Sequence, residues 1–166
     1  MYDIIVIGAG PAGMTSALYA LRAGKSVLIM ESAGFGGQIV YSHKIENYPA
    51  IKQVSGMEFA DVLTQQIIDL GVEVALEKAS KIKKAGSTFE VFAGDKKFEG
   101  KTVIIAAGVH HRRLGLVNEE RLIGSGISFC AVCDGAFFRD RVVAVAGGGN
   151  TALQDALFLS AFDQWQ

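Results

Sequence analysis

Two cysteines, Cys130 and Cys133, stand two residues apart and are followed at once by Asp134 and Gly135; the chain has no others. Thiols at this spacing can close a small disulfide ring and reopen it, and Asp134 could supply or remove the proton that the cycle needs. The same C-x-x-C spacing also serves structural zinc and inert buried pairs. A zinc site needs four ligands, and only His43, His110 and His111 accompany the thiols. Adjacent His110 and His111 are poorly placed to ligate one ion together, so no metal is expected. A thioredoxin-like setting would face the pair with a cis-proline, but Pro11 and Pro49 lie far upstream. The flanking Asp134-Gly135, on a segment without periodicity, argues against inert thiols.

Two glycine patterns stand on either side of this pair. Gly8-x-Gly10-x-x-Gly13, with Pro11 and Ala12 as spacers, follows an apolar run and opens an Ala- and Leu-rich one. In that setting Gly8 makes a tight turn, Gly10 lets backbone approach a pyrophosphate, and Gly13 lets helix pack on strand. The helix N-terminus adds free N–H groups and a dipole favourable to phosphate. Glu31 falls where a carboxylate accepts hydrogen bonds from an adenosine ribose, and it disfavours a 2′-phosphate, which points to FAD or NAD. The second pattern, Gly147-x-Gly149-x-x-Ala152 with Asn150 and Thr151 between, follows the same logic with half its context; the residue selecting NAD from NADP is not in the sequence. A structural glycine turn is the alternative at both places. A dithiol between two dinucleotide sites suggests an electron relay: nicotinamide to flavin, flavin to disulfide, and dithiol to a partner disulfide.

The elements that must position these residues follow from hydropathy. Tyr2–Ile7 is a β-branched run suited to a central parallel strand, Met14–Ala23 a helix ending near Gly24, and Ser26–Met30 a second strand. Together they form a β-α-β unit. The segment from Ser32 to Ile51 lacks periodicity and is long enough to be functional. Phe59, Leu63, Ile67 and Leu70 recur at helical spacing up to Gly71, and Val72–Leu76 is a further strand. Ala79–Glu99 alternates in short pieces with turn signals at Ala85-Gly86-Ser87 and Gly94-Asp95, as an antiparallel meander does. Lys101–Ala107 returns to the sheet and Gly108 breaks it. His110 to Gly126 is polar and irregular, the expected hinge or boundary. Val142–Ala146 is expected to be a third buried strand, leading into a helix that runs to about Phe162. Leu153, Ala156, Leu157, Leu159 and Phe162 of that helix need something to pack on, so the second domain is expected to be unfinished.

Composition excludes several classes. Half of the 166 residues are apolar and the formal net charge is −1, which suits a globular enzyme rather than a nucleic-acid or membrane-surface binder. The clusters Arg112-Arg113 and Lys81/Lys83/Lys84 are expected to be solvated surface. The start of the chain has no basic n-region or cleavage site, and no apolar run is long enough to span a bilayer. The expected location is the cytoplasm, where a C-x-x-C is catalytic or metal-binding rather than a structural disulfide. The length suits one good core and is short for two complete nucleotide-binding domains.

From Tyr2 to about Ser160 the chain resembles the low-molecular-weight thioredoxin reductases, a branch of the pyridine nucleotide–disulfide oxidoreductases. The resemblance rests on Gly8–Gly13, Gly36-Gly37-Gln38, Glu46-Asn47-Tyr48-Pro49, Ala106-Ala107-Gly108, Cys130–Gly135 and Gly147–Ala152, in the family's order. It implies an α/β fold: a Rossmann-like FAD-binding domain at 1–112, with a parallel sheet plus a small antiparallel meander, then an incomplete Rossmann-like NADPH domain at 113–166. Gly8, Gly10, Pro11, Ala12, Gly13 and Glu31 would hold the adenosine end of FAD. Gly36, Gly37, Gln38 and Asn47, with Gly108, would line the path to the isoalloxazine ring. Gly147, Gly149, Asn150, Thr151 and Ala152 would begin the NADPH site.

The resemblance also implies that Cys133 faces the flavin, that Cys130 attacks the disulfide of thioredoxin or a similar small dithiol protein, and that Asp134 carries the proton. About Arg112 to Gly115 would form one strand of a hinge between domains, and a complete member would be a homodimer. Val117-Asn118 departs from a usual Pro-Gly and Ala107 from a usual Thr, and the closing run from Ala161 departs too. Family members are also considerably longer. The expected function is thus NADPH-dependent thioredoxin-disulfide reduction by way of FAD, with the 166-residue chain alone expected to bind FAD poorly and not to turn over. A flavin dithiol oxidase, and a non-catalytic FAD-binding module completed by oligomerisation, are the alternatives.

Overall fold

The computed structural model describes residues 1–161. The expected helix end at Phe162 and the closing run beyond it lie outside the described residues. Contacts divide the chain into two compact units: Met1–Lys44 with Gln53–His110, and Ile45–Lys52 with the chain from His111 onward.

The first unit is built on one six-stranded mixed sheet of order β3-β2-β1-β6-β5-β4. Strand β1 (Tyr2–Ile7) lies in its middle, parallel to β2 (Val27–Met30) on one side and to β6 (Lys96–Ile105) on the other. Helix α1 (Pro11–Arg22) connects β1 to β2, with Pro11 in the first turn, where its missing N–H costs nothing. Helix α2 (Gly56–Asp69) starts at Ser55, whose hydroxyl accepts the Glu58 N–H at 3.1 Å, and leads to β3 (Glu73–Ala75). The strands β4 (Lys81–Ala85), β5 (Thr88–Ala93) and the first half of β6 form the expected antiparallel meander.

Alternation along β1 and β2 explains why both faces of this sheet are covered. Val6, Val27 and Ile29 join Met14, Ala17 and Ala20 of α1 and Ile67 of α2 in one core. Ile5, Leu28 and Met30 point the other way and pack with Val91 and Ala93 of β5. The meander thus supplies the second apolar layer. Asp3 ties the start of β1 to both neighbours, accepting from Ser26 before β2 and pairing with Lys101 of β6 at 2.7 Å. These partners, Lys101 foremost, hold its carboxyl well below the usual range.

One boundary differs from the sequence reading. The last meander piece and the returning sheet strand, expected as two elements, form a single ten-residue strand. Gly100 is the joint, paired at once with Tyr2 of β1 and Phe89 of β5. A Cβ there would lie 2.9 Å from Ile5 Cγ1, so the glycine marks close packing and not a break.

The second unit contains short helices α3 (Glu119–Leu122) and α4 (Ala131–Asp134), a 3₁₀ turn at Gly135–Phe138, and helix α5 (Asn150–Ser160). The buried strand expected at Val142–Ala146 is absent: all five residues are exposed and none joins a described strand. A strand exists only through a neighbour that takes its backbone hydrogen bonds, and among the described residues this run has none. Leu153 and Leu157 of α5 are likewise exposed.

Candidate functional site

In the second unit the redox pair is assembled by a single turn of chain. Cys130 caps α4, and Cys133 lies in that helix, so the 3.6-residue period returns its side chain to the cap. The two are joined as a disulfide with Cα atoms 5.3 Å apart. Cys133 N–H donates to Cys130 Sγ at 3.2 Å and Asp134 N–H to the Cys130 carbonyl at 3.1 Å, so the ring rests on a fixed backbone. Cys133 is an exposed residue, while Cys130 and Asp134 are half-buried. The Asp134 carboxylate accepts the hydroxyl proton of Ser128, a residue the sequence reading passed over.

The segment before α4 is more ordered than its composition suggests. Glu119, 5 % exposed, accepts the N–H groups of Leu114 (2.9 Å), Gly115 (2.8 Å) and Leu116 (3.3 Å). Those donors, Leu114 first, hold its carboxyl below the ordinary value against the opposing effect of burial. Phe129 stacks on His111 with ring centroids 4.4 Å apart, and the Arg113 guanidinium lies 5.4 Å from the Phe129 centroid. Arg113, exposed as expected, also lies over the ring of the residue next to Cys130.

In the first unit the glycine residues gather at the carboxyl ends of β1, β2 and β6, where open α/β sheets bind ligands. Gly8 has φ +103°, and a Cβ on it would fall 2.3 Å from the Ala106 carbonyl oxygen at the end of β6. A Cβ on Gly13 would fall 1.9 Å from Gly8 O, so α1 sits directly against the turn. Gly10 is different: its Cβ would meet nothing nearer than Gly36 O at 4.0 Å. Its absence is not demanded by packing, and the space it leaves suits an approaching ligand.

Two separate motifs meet at this turn. Gly36 N–H donates to the Ala9 carbonyl at 2.8 Å, and a Cβ on Gly37 would touch Gly10 Cα at 3.3 Å. The Gln38 amide donates to the carbonyl of Val109, beside Gly108. Glu31 is already bonded to backbone: Oε2 accepts Ala9 N–H at 2.7 Å, and Oε1 accepts Ser32 and Ala33 N–H at 2.7 and 2.9 Å. A carboxylate has about four acceptor positions, so Oε2 retains one for a further hydroxyl.

Asn47 is exposed on Ile45–Lys52 of the other unit. There too, Gly147 (φ +145°) and Gly149, the N-cap of α5, form the second glycine turn, with Asn150, Thr151 and Ala152 opening the helix. Neither Ser128 nor Glu119 has a periodic signature. The one available signal for Ser128 is a hydroxyl two residues before a helix cap, a common backbone-binding position.

Known proteins give this geometry a context. The chain is 41 % identical over 162 residues to the thioredoxin reductase of Listeria monocytogenes, covering 98 % of this chain and 51 % of that protein. It is 42 % identical over 163 residues to the Helicobacter pylori thioredoxin reductase, with 96 % and 52 % covered. The crystal structure of thioredoxin reductase from Streptococcus pyogenes superposes with a TM-score of 0.93 at 45 % identity, over 98 % of this chain and 53 % of that one. The chain thus spans about half the length of the curated relatives it matches. The family model described as pyridine nucleotide-disulphide oxidoreductase matches residues 2–164, a span that takes in both glycine turns and the disulfide. A match of that extent, over a fold with the same mixed sheet, means that the chain belongs to the pyridine nucleotide-disulphide oxidoreductase family.

Proposed function

We propose that this chain carries the FAD-binding and dithiol-bearing portion of a thioredoxin-disulfide reductase, with residues 1–112 serving FAD and 113–166 beginning an NADPH and dithiol domain. The observation that carries the reading is the closed Cys130–Cys133 ring, with Asp134 in the same turn, in a member of this family. The first unit fits a flavin dinucleotide. Its turn at Gly8, Gly10 and Gly13 leaves Gly10 open, the N–H groups of Ala12 and Gly13 lie in the first turn of α1, and Glu31 keeps an acceptor for a ribose hydroxyl. Gly36, Gly37, Gln38 and Gly108 extend from that turn, and Asn47 is assigned with them to the flavin path. Gly147, Gly149, Asn150, Thr151 and Ala152 are assigned to the start of the NADPH site.

Bound FAD would supply two-electron chemistry between NADPH and the disulfide. The chain's own residues then do the rest. Opening the Cys130–Cys133 bond takes up two electrons and two protons. The Cys130 thiolate attacks the partner disulfide, and Cys133 closes the ring again and releases the reduced partner. The partner assigned is thioredoxin or a small dithiol protein like it, and the assigned compartment is the cytoplasm. Among the described residues no helix is long and apolar enough to cross a membrane.

The test uses the chain itself. Reduced with dithiothreitol, freed of it and mixed with oxidised thioredoxin, it is expected to convert one thioredoxin disulfide per chain. Cys133→Ser should trap a mixed disulfide through Cys130. Trapping by Cys130→Ser instead reverses the assigned direction, and oxidised thioredoxin left unchanged overturns the partner. Titration with FAD, followed by quenching of flavin fluorescence, tests the first unit; quenching that Gly10→Ala leaves unaltered refutes the assigned pyrophosphate approach.

A further inference from the structure

Ser128 stands outside every motif that points to the dithiol, yet it joins both ends of the redox turn. Its Oγ accepts the Cys130 N–H at 3.0 Å and donates to Asp134 Oδ2, with the Cys130 carbonyl oxygen 3.3 Å away. A hydroxyl has one proton and two lone pairs. The Cys130 N–H occupies a lone pair, and an ionised carboxylate attracts the proton more strongly than a peptide carbonyl does. The side chain of Asp134 has two rotatable bonds and sits on the last residue of a four-residue helix. Ser128 holds one of its oxygens, Oδ2.

We propose that Ser128 is a positioning residue of the dithiol cycle: it fixes the Asp134 carboxylate relative to the Cys130 peptide, and thereby sets how fast the ring closes during exchange. This rests on the reading of Cys130 and Cys133 as an exchanging pair served by Asp134. In the first step the Cys130 thiolate bonds to one sulfur of the partner disulfide. The partner's S–S bond breaks, and its leaving sulfur keeps the electron pair and takes a proton from water. In the second step the Cys133 thiol passes its proton to Oδ1 of Asp134, and the resulting thiolate attacks Cys130 Sγ. The ring closes, the mixed disulfide breaks, and the second partner sulfur leaves with its electron pair and collects the proton from Asp134. Two electrons pass from the cysteine pair to the partner, and Asp134 ends as it began.

The experiment mixes the reduced chain with the chromogenic disulfide dithiodipyridine under stopped flow, following the two pyridinethione releases separately. Ser128→Ala is expected to slow the second release by about ten- to a hundredfold, the effect of one hydrogen bond to a charged group, with the first release unchanged. Ser128→Thr, which keeps the hydroxyl, is expected within about twofold of the parent. In an Asp134→Asn background Ser128→Ala is expected to add nothing, because residues that act through one another are not additive. Parent-like ring closure in Ser128→Ala overturns the proposal. So does equal slowing in the Asp134→Asn background, which would mean that the hydroxyl acts through the Cys130 backbone alone. A Thr variant as slow as the Ala variant also overturns it. Oxidised thioredoxin forms a separate arm: a parent chain that reacts with dithiodipyridine but not with thioredoxin refutes the proposed partner, while the Ser128 comparison still gives its answer.

Discussion

Gly13→Ala should be among the most damaging one-carbon changes in the first unit, and its cost can be worked from the turn at Gly8. The added Cβ would begin 1.9 Å from the Gly8 carbonyl oxygen and 3.0 Å from its carbon. Real Cβ contacts keep to at least 3.0 Å, so α1 would have to retreat from β1 by about 1.1 Å. The obstacle is backbone held in the sheet, and no side-chain rotation relieves it. A gap of that size forfeits roughly a quarter to a half of the dispersion between the facing surfaces. Those surfaces include Met14 and Ala17 of α1 against Val6 and Ile29, all buried. Overpacking of this kind costs about 1–3 kcal/mol and occasionally more, against about 1 kcal/mol returned by the better helix propensity of alanine. Because the obstacle is backbone, the upper end of about 3 kcal/mol applies; less the roughly 1 kcal/mol returned, a net loss of about 2 kcal/mol at about 2–4 °C per kcal/mol lowers the melting temperature by about 4–8 °C. Gly34→Ala is the internal control, since its Cβ meets nothing within 4 Å and its φ is not positive. Thermal unfolding by circular dichroism reads both variants. A Gly13→Ala chain melting within about a degree of the parent would refute the reasoning, because the helix would then have room that the geometry denies it.

Three further outcomes follow from the same geometry. Gly10→Ala is expected to lower the melting temperature by no more than about 2–4 °C, the cost of a poorer N-cap on α1, while weakening FAD uptake at least about tenfold, because its Cβ is free of the fold but lies where the ligand approaches. Glu119 has a lowered folded-state pKa, so its stabilising effect is complete above the ordinary carboxyl value and lost as pH falls through the lower folded one. Hydrogen-exchange protection of the Leu114, Gly115 and Leu116 amides should therefore drop on acidification, and Glu119→Gln should make it low and independent of pH. Glu31→Ala removes the acceptor of three backbone amides, and exchange at Ala9, Ser32 and Ala33 should rise while the core amides of β1 keep their protection.

How much of this was legible beforehand depends on whether the cause was local. The β1-α1-β2 unit was readable because Ile4 to Ile7 and Val27 to Met30 are apolar runs flanking a glycine turn whose spacing has one steric solution. The meander was readable from its turn residues. Gly100 misled, since a glycine between Glu99 and Lys101 resembles a terminator until Ile5 is seen lying against it. Val142–Ala146 misled in the opposite direction: β propensity describes a residue's fit to a sheet surface, and here no described strand offers one. Cys130 and Cys133 were legible because the sulfur pair carries its own spacing. Ser128 and Glu119 were not, since each acts on backbone groups, and a backbone amide leaves no trace in composition.

The double pairing of β6 bears on how the first unit comes into being. Only two residues separate it from its antiparallel partner β5, so that hairpin can form within microseconds of being available. Its parallel partner β1 lies nearly a hundred residues back, a closure that long-range topology makes slow. During synthesis β1 and β2 emerge first, and one side of β1 stays an unpaired edge until the ribosome has delivered Ile105. An edge of that kind is sticky toward other chains. The ready-made hairpin is therefore the piece that seals it, delivering a strand already ordered along its first half, with Gly100 passing the order on to the second.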